Sequence, residues 1–207
     1  MNQRRAVVAG PSLVLLVGLC CVPSLASAHL VSTRFGELYS GILHPLITLA
    51  HAVPWLGLGL LAGAQQALVA RWVSAAFPLA VGLGAAVGGF LPESELVTYL
   101  NLASFLVLGL LVVFAVKLNR PLLLGVSALT GLSHGYANGT PGLTAGGAVL
   151  YVLGVAIAAY AVVTLMAGLA QWLRNRASWG HTAVRAAGSW IVAVGLIFGG
   201  FSLMTLS

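Results

Sequence analysis

The 207-residue chain contains no aspartate, and its three acidic residues are Glu37, Glu93 and Glu95. That scarcity excludes carboxylate-dyad hydrolysis and Mg²⁺-dependent phosphoryl transfer, and no G-x-x-x-x-G-K-S/T loop is present to bind ATP. Cysteine is confined to the adjacent pair Cys20 and Cys21 in the first apolar run. If that run is removed, the mature chain has no thiol or disulfide chemistry. Charge of either sign is rare, with 6% of residues charged against 60% hydrophobic, whereas a soluble domain carries about a quarter charged residues. Such a chain cannot cover a water-soluble surface, which excludes a cytosolic enzyme, a nucleic-acid binder and a disordered linker together. It reads as an all-α membrane protein whose principal partner is the lipid bilayer. The net charge of +6 is spread over short polar gaps, where Lys and Arg act as topology signals and form no phosphate-binding patch.

The segment 1–28 has the layout of a secretory signal peptide: Arg4 and Arg5, the apolar run Ala6 to Leu19, then Ala26-Ser27-Ala28. Cleavage after Ala28 makes His29 the first mature residue, on the outer side of the membrane. An uncleaved first helix, or a lipoprotein signal using Cys20 or Cys21, is the other reading. The remaining 29–207 form one membrane domain with six apolar stretches, each near the roughly 20 residues that a hydrocarbon core requires. They cover about 42–65, 72–91, 96–116, 121–137, 143–169 and 183–205. Charge tests this count, because Lys and Arg should gather in alternate gaps. Arg71, then Lys117 and Arg120, then Arg174, Arg176 and Arg185 fall in or directly beside the first, third and fifth gaps. The second and fourth gaps carry no positive charge, so both mature termini are expected outside the inner membrane, on the side of all three glutamates.

Glycines four apart, Gly84 and Gly88, Gly135 and Gly139, Gly195 and Gly199, are expected to let helix backbones approach closely, within the bundle or between copies in a homo-oligomer. With carboxylates scarce, histidine is the remaining versatile ligand and proton carrier. His44 opens the first span, His51 lies within it and His134 lies late in the fourth. Each is either a neutral imidazole bonded to a backbone carbonyl or part of a functional site, the default reading of an ionisable group at membrane depth. His44 and His51 share a helix face but are displaced by roughly 10 Å on an ideal helix. Either the segment is irregular around Pro45 and Pro54, or the two mark successive stations along a path. His134 and Asn138 stack one turn apart, close enough to address one ion or water. An N-terminal His29 offers its α-amine and imidazole to one metal, a chelate suited to Ni²⁺ or Cu²⁺, with Glu37 and Tyr39 downstream. His181 reads as a solvated loop residue, and Trp55, Trp72, Trp172, Trp179 and Trp190 mostly as interfacial anchors near span ends. An intramembrane hydrolase is disfavoured, since Ser133 and His134 are adjacent on a helix and no acid orients the imidazole.

The outer segment His29 to Gly41 leading into His44-Pro45-Leu46-Ile47-Thr48-Leu49-Ala50-His51 resembles the HupE/UreJ family of small membrane proteins. That family's first-span motif is H-P-x-x-G-x-D-H, with Thr48 here in place of the glycine and Ala50 in place of the aspartate. Its second motif, H-G-x-A-H-G-x-E, corresponds to His134-Gly135-Tyr136-Ala137-Asn138-Gly139-Thr140-Pro141, where Asn138 replaces a histidine and Pro141 the glutamate. The resemblance implies nickel or cobalt uptake and a link to hydrogenase or urease maturation. The departures leave a more neutral, imidazole-rich ligand set, for which copper or zinc is the other fit.

The expectation is therefore a six-span permease, not an enzyme, that carries a divalent transition metal inward through His29, Glu37, His44, His51, His134 and Asn138. It binds no nucleic acid and no permanent cofactor. The alternative is a non-transporting accessory protein that holds a metal at its outer face and serves a metalloenzyme maturation partner.

Overall fold

The computed structural model describes residues 28–205, with side chains placed from residue 36 to residue 202. The expected signal segment, with Cys20, Cys21 and the cleavage point, lies outside the described residues. Those described form seven helices and no strand: α1 (Ala28–Ile47), α2 (Leu49–Gly63), α3 (Ala67–Gly88), α4 (Glu95–Val113), α5 (Arg120–Ala137), α6 (Ala145–Arg176) and α7 (Gly180–Thr205). Helix is the outcome that lipid dictates, because a backbone without water must satisfy its N–H and C=O groups within its own segment. Local signals set the starts. Asn119 accepts from Leu122 N ahead of Pro121 in the first turn of α5, and Thr144 Oγ1 accepts from Gly147 N at the start of α6.

Four helices, α3, α4, α6 and the Gly180–Ser202 part of α7, are long and apolar enough to cross a membrane. The bent pair Gly36–Ile47 and Leu49–Gly63 would make a fifth. The six expected spans are thus met in part, and α5, the expected fourth, is not among them. Arg120, Ser127, Thr130, Ser133 and His134 interrupt its apolar run. Ser127, Thr130, Ser133 and His134 are all buried inside the bundle, so protein contacts hold this helix where lipid would not.

The first expected span, taken as 42–65, is two helices meeting at 77°. Pro45 has no N–H to give the preceding turn, which weakens the end of α1. At the break Thr48 is extended (φ −91°, ψ 100°), and its Oγ1 donates to His44 O at 2.8 Å. The chain becomes helical again when His51 N and Ala52 N donate to Thr48 O at 2.9 and 3.0 Å. Pro54 lies inside α2 without ending it. The irregularity therefore falls between the two histidines.

The most extensive helix contact is α3 on α5, while α1 and α2 lean on α6 and α4 pairs with α7. Gly84 and Gly88 interleave with Gly135 and Gly139: a Cβ on Gly88 would fall 2.1 Å from Tyr136 O, and one on Gly135 2.2 Å from Val81 O. The third expected pair divides, since Gly195 is pressed on Phe105 whereas Gly199 has open space around it. Trp55, Phe77, Phe105, Leu58, Leu61 and Leu108 fill the core. Leu79, Phe90, Leu165 and Trp190 point outward, an apolar periphery that suits lipid. Trp55 departs from the expected interfacial role, being fully buried with its ring edge-on to Phe77 at 5.6 Å, while the other four tryptophans are exposed.

The connections sort by charge as the gap pattern requires. Lys117 Nζ donates to Ala64 O, Arg174 Nη1 to Gly63 O at 3.2 Å and Arg185 Nε to Val113 O at 2.7 Å, so the first, third and fifth links share one end of the bundle. Gln65 straps this end together, donating to Val116 O and accepting from Leu118 N. The second and fourth links meet at the opposite end, where Tyr136 Oη donates to Pro92 O at 2.6 Å.

Candidate metal path

His44 sits in the last turn of α1. The α1 backbone is drawn against α6 at Gly41, where a Cβ would fall 2.1 Å from Tyr151 O, and the His44 ring lies 6.5 Å from the Tyr151 ring. Across the break at Thr48 the His44 and His51 rings are 6.3 Å apart. A straight helix would displace them by roughly 10 Å along the axis, so the bend brings the two within reach of one another. From α2, His51 meets His134 of α5, with the two Nδ1 atoms 3.1 Å apart and the rings nearly perpendicular at 5.3 Å. The other side of the His134 ring faces α4, its Nε2 lying 2.9 Å from Ser104 Oγ. Exposure falls along this series, from the half-buried His44 to His51 at 7% and His134 at 0%.

The remaining expected residues are distributed around this relay. Asn138 is the C-cap of α5; its Nδ2 donates to His134 O at 2.7 Å, while Oδ1 is buried without a partner. Its amide oxygen therefore has an acceptor site to spare, and its nitrogen steadies the turn that carries His134. Glu37 lies two turns before His44 on α1, half-buried, and packs near the start of α6, where a Cβ on Gly147 would fall 3.3 Å from its Cγ. The His29 side chain lies outside the described residues. His181 is remote, at the cationic end, where Arg174 Nε donates to its Nδ1 at 3.4 Å. Among the described residues no group of three or more His, Cys, Asp or Glu converges in a way that could hold a metal ion. The imidazoles meet in pairs.

Sequence reading missed Asn101 and Ser104, three residues apart where the apolar run of α4 begins and both buried beside α5. Two polar residues at helical spacing in such a run were the available signal. It also missed a cleft of about 550 Å³ between the second and fourth links, with Glu93, Thr98 and Tyr136 on its wall.

The profile of the family described as HupE / UreJ protein matches residues 17–198. The chain belongs to the HupE/UreJ family. It is 31% identical over 177 residues to "Protein HupE" of Rhizobium leguminosarum bv. viciae, an alignment covering 84% of this chain and 90% of that protein. No solved structure matches. HupE/UreJ proteins are associated with nickel or cobalt handling for hydrogenase and urease, as a transporter or accessory family not known as catalytic. The HupE/UreJ motif positions acquire physical meaning here. Thr48, standing where the motif has glycine, is the break that folds His44 toward His51, and Asn138, standing where it has a second histidine, caps the helix that carries His134.

Proposed function

We propose that the protein is a six-span permease of the inner membrane that carries a divalent transition metal, nickel or cobalt, inward along His44, His51 and His134. The observation that carries this reading is the succession of three imidazoles, from two sequence-distant segments, at ring separations of 6.3 and 5.3 Å with burial increasing along the series. Glu37 and the mature-terminal His29 collect the ion at the outer end, and the Asn138 amide oxygen, at the same end of α5, adds a neutral donor one turn outward of His134. Paired rather than fourfold ligation suits passage, because a transported ion must leave each station as well as enter it. The membrane potential supplies a driving force: about 100 mV, negative inside, is worth roughly 2.3 kcal/mol per charge and roughly 4.6 for a dication.

The test is uptake of radiolabelled nickel and cobalt by cells producing wild type or the His44→Ala/His51→Ala variant at equal membrane abundance. Saturable uptake that the variant loses is the expected result. Uptake of both metals no greater than in empty-vector cells would overturn the assignment. The accessory reading is separated by equilibrium binding: an outer-face holder keeps its metal when His51 and His134 are replaced and loses it when His29 is.

A further inference from the structure

Ser104 Oγ has two neighbours, and their chemistry fixes where its single hydrogen lies. It stands 2.6 Å from Asn101 O, a carbonyl that can only accept, and 2.9 Å from His134 Nε2. Two oxygens at 2.6 Å require a hydrogen between them, so the hydroxyl donates to Asn101 O. Its oxygen is then left to accept, and His134 Nε2 must carry the ring hydrogen that it accepts. A neutral imidazole with hydrogen on Nε2 has a bare lone pair on Nδ1, the atom facing His51 Nδ1 at 3.1 Å. His51 Nδ1 must accordingly donate in the unloaded protein. One polarity runs through the whole chain, from His51 to His134 to Ser104 to Asn101 O. Every member except the last carbonyl is a side chain buried to nine-tenths or more.

We propose that Ser104 is a positioning residue for metal binding, which holds His134 as the Nε2–H tautomer so that Nδ1 is its donor atom. The inference rests on the permease reading only in calling the cargo a metal. A divalent ion arriving from His44 displaces the His51 hydrogen bond from His134 Nδ1, and His51, keeping its proton on Nδ1, is left with Nε2 as its own bare donor nitrogen. The His134 ring does not have to turn or exchange its proton, because Ser104 has already selected the free nitrogen. Partners of this kind govern both ring orientation and ligand basicity at metal-bound histidines. With the Ser104 hydrogen pointing away from the imidazole, the pair is not arranged as a serine–histidine nucleophile.

The test begins on the wild-type protein in detergent, so that it does not depend on a variant folding. Ring-¹⁵N-labelled histidine spectra, assigned by His134→Gln, are expected to show a protonated Nε2 and an unprotonated Nδ1 at His134, with Ni²⁺ or Co²⁺ perturbing Nδ1. A protonated Nδ1, or metal perturbing Nε2, overturns the proposal. In Ser104→Ala the tautomer should become mixed and metal affinity should fall about 10–100-fold, while Ser104→Thr, which keeps the hydroxyl, should restore both. Unchanged tautomer and affinity in a folded Ser104→Ala protein also overturns it. Because these readouts need no transport, metal binding at Nδ1 in a protein that fails to take up either ion supports the positioning role and refutes the permease. Robust uptake with His134 in the other tautomer does the reverse.

Discussion

Replacing Gly135 with alanine should displace His134 without touching it. The added Cβ would fall 2.2 Å from Val81 O, where ordinary contact begins at 3.4 Å, a deficit of about 1.2 Å. The obstacle is main chain on both sides, so no side chain can swing away, and α5 must move off α3. Overpacking of this kind costs about 1–3 kcal/mol. For a chain of this size each kcal/mol corresponds to roughly 2–4 °C in melting temperature. The functional effect should exceed the effect on stability, because the neighbouring imidazole is held at 3.1 Å to His51 and 2.9 Å to Ser104. A rigid shift of the size required carries at least one of these contacts beyond hydrogen-bonding reach. Gly125 supplies the control on the same helix, since a Cβ there meets nothing within 4 Å. Gly125→Ala should leave the uptake proposed above intact and, by improving helix propensity, add up to about 1 kcal/mol of stability. Melting in detergent and initial uptake rates at matched abundance decide the matter. If Gly135→Ala melts like wild type and, where wild type takes up metal, transports like it, or if Gly125→Ala loses as much, the claim that backbone contact positions His134 is wrong.

Gly36 holds φ 73° and ψ 170° with open space around it, so Gly36→Ala should cost about 1–3 kcal/mol through backbone strain alone; an unchanged melting temperature would refute the strain argument. Gln65→Leu removes hydrogen bonds to Leu61 O at 3.2 Å, Val116 O at 3.0 Å and Leu118 N at 3.3 Å, and should destabilise by about 1–3 kcal/mol in total. A loss within experimental error in thermal melts would mean that water or lipid replaces all three. Burial and, secondarily, the Arg174 charge hold Lys117 below the ordinary lysine value of 10.5. In the alkaline window just below 10.5 the unfolded chain therefore binds more protons than the folded one, and this residue's contribution to stability rises with pH. Lys117→Met should remove that slope from melting curves taken across the window, and parallel curves for the two proteins would contradict it.

Composition alone sufficed for the helical class, because a chain this poor in charge has to solve its backbone hydrogen bonding inside each segment. The alternation of positive charge also carried real information, since Lys117, Arg174 and Arg185 all bond to backbone at one end of the bundle. Other features depended on contacts between segments far apart in sequence. The periodicity of 42–65 is continuous across Thr48, and no local rule states that Pro45 weakens the helix enough to bend it by 77° there while Pro54 leaves it intact. The straight-helix estimate for His44 and His51 was too long for that reason. The 83-residue separation of His51 from His134 hid their pairing, and the contact of Ser104 with His134 exists only because α4 and α5 lie side by side. The apolar surroundings of Trp55 resembled those of any interfacial indole, although its ring is closed in by Phe77.

The break at Thr48 has an electrical consequence as well as a geometric one. A helix presents about half a negative charge at its carbonyl end and half a positive charge at its amide end. An unbroken span keeps these poles at the membrane surfaces, whereas this one brings one of each into the bundle, as discontinuous transport helices do. His44 occupies the last turn of α1 and His51 the first turn of α2. A cation at His44 therefore rests against a negative pole, and at His51 it faces a positive one. Within the permease reading, the ion is held more tightly at the first imidazole than the helix ends alone would allow at the second, so His134 has to supply what the α2 pole withholds from His51.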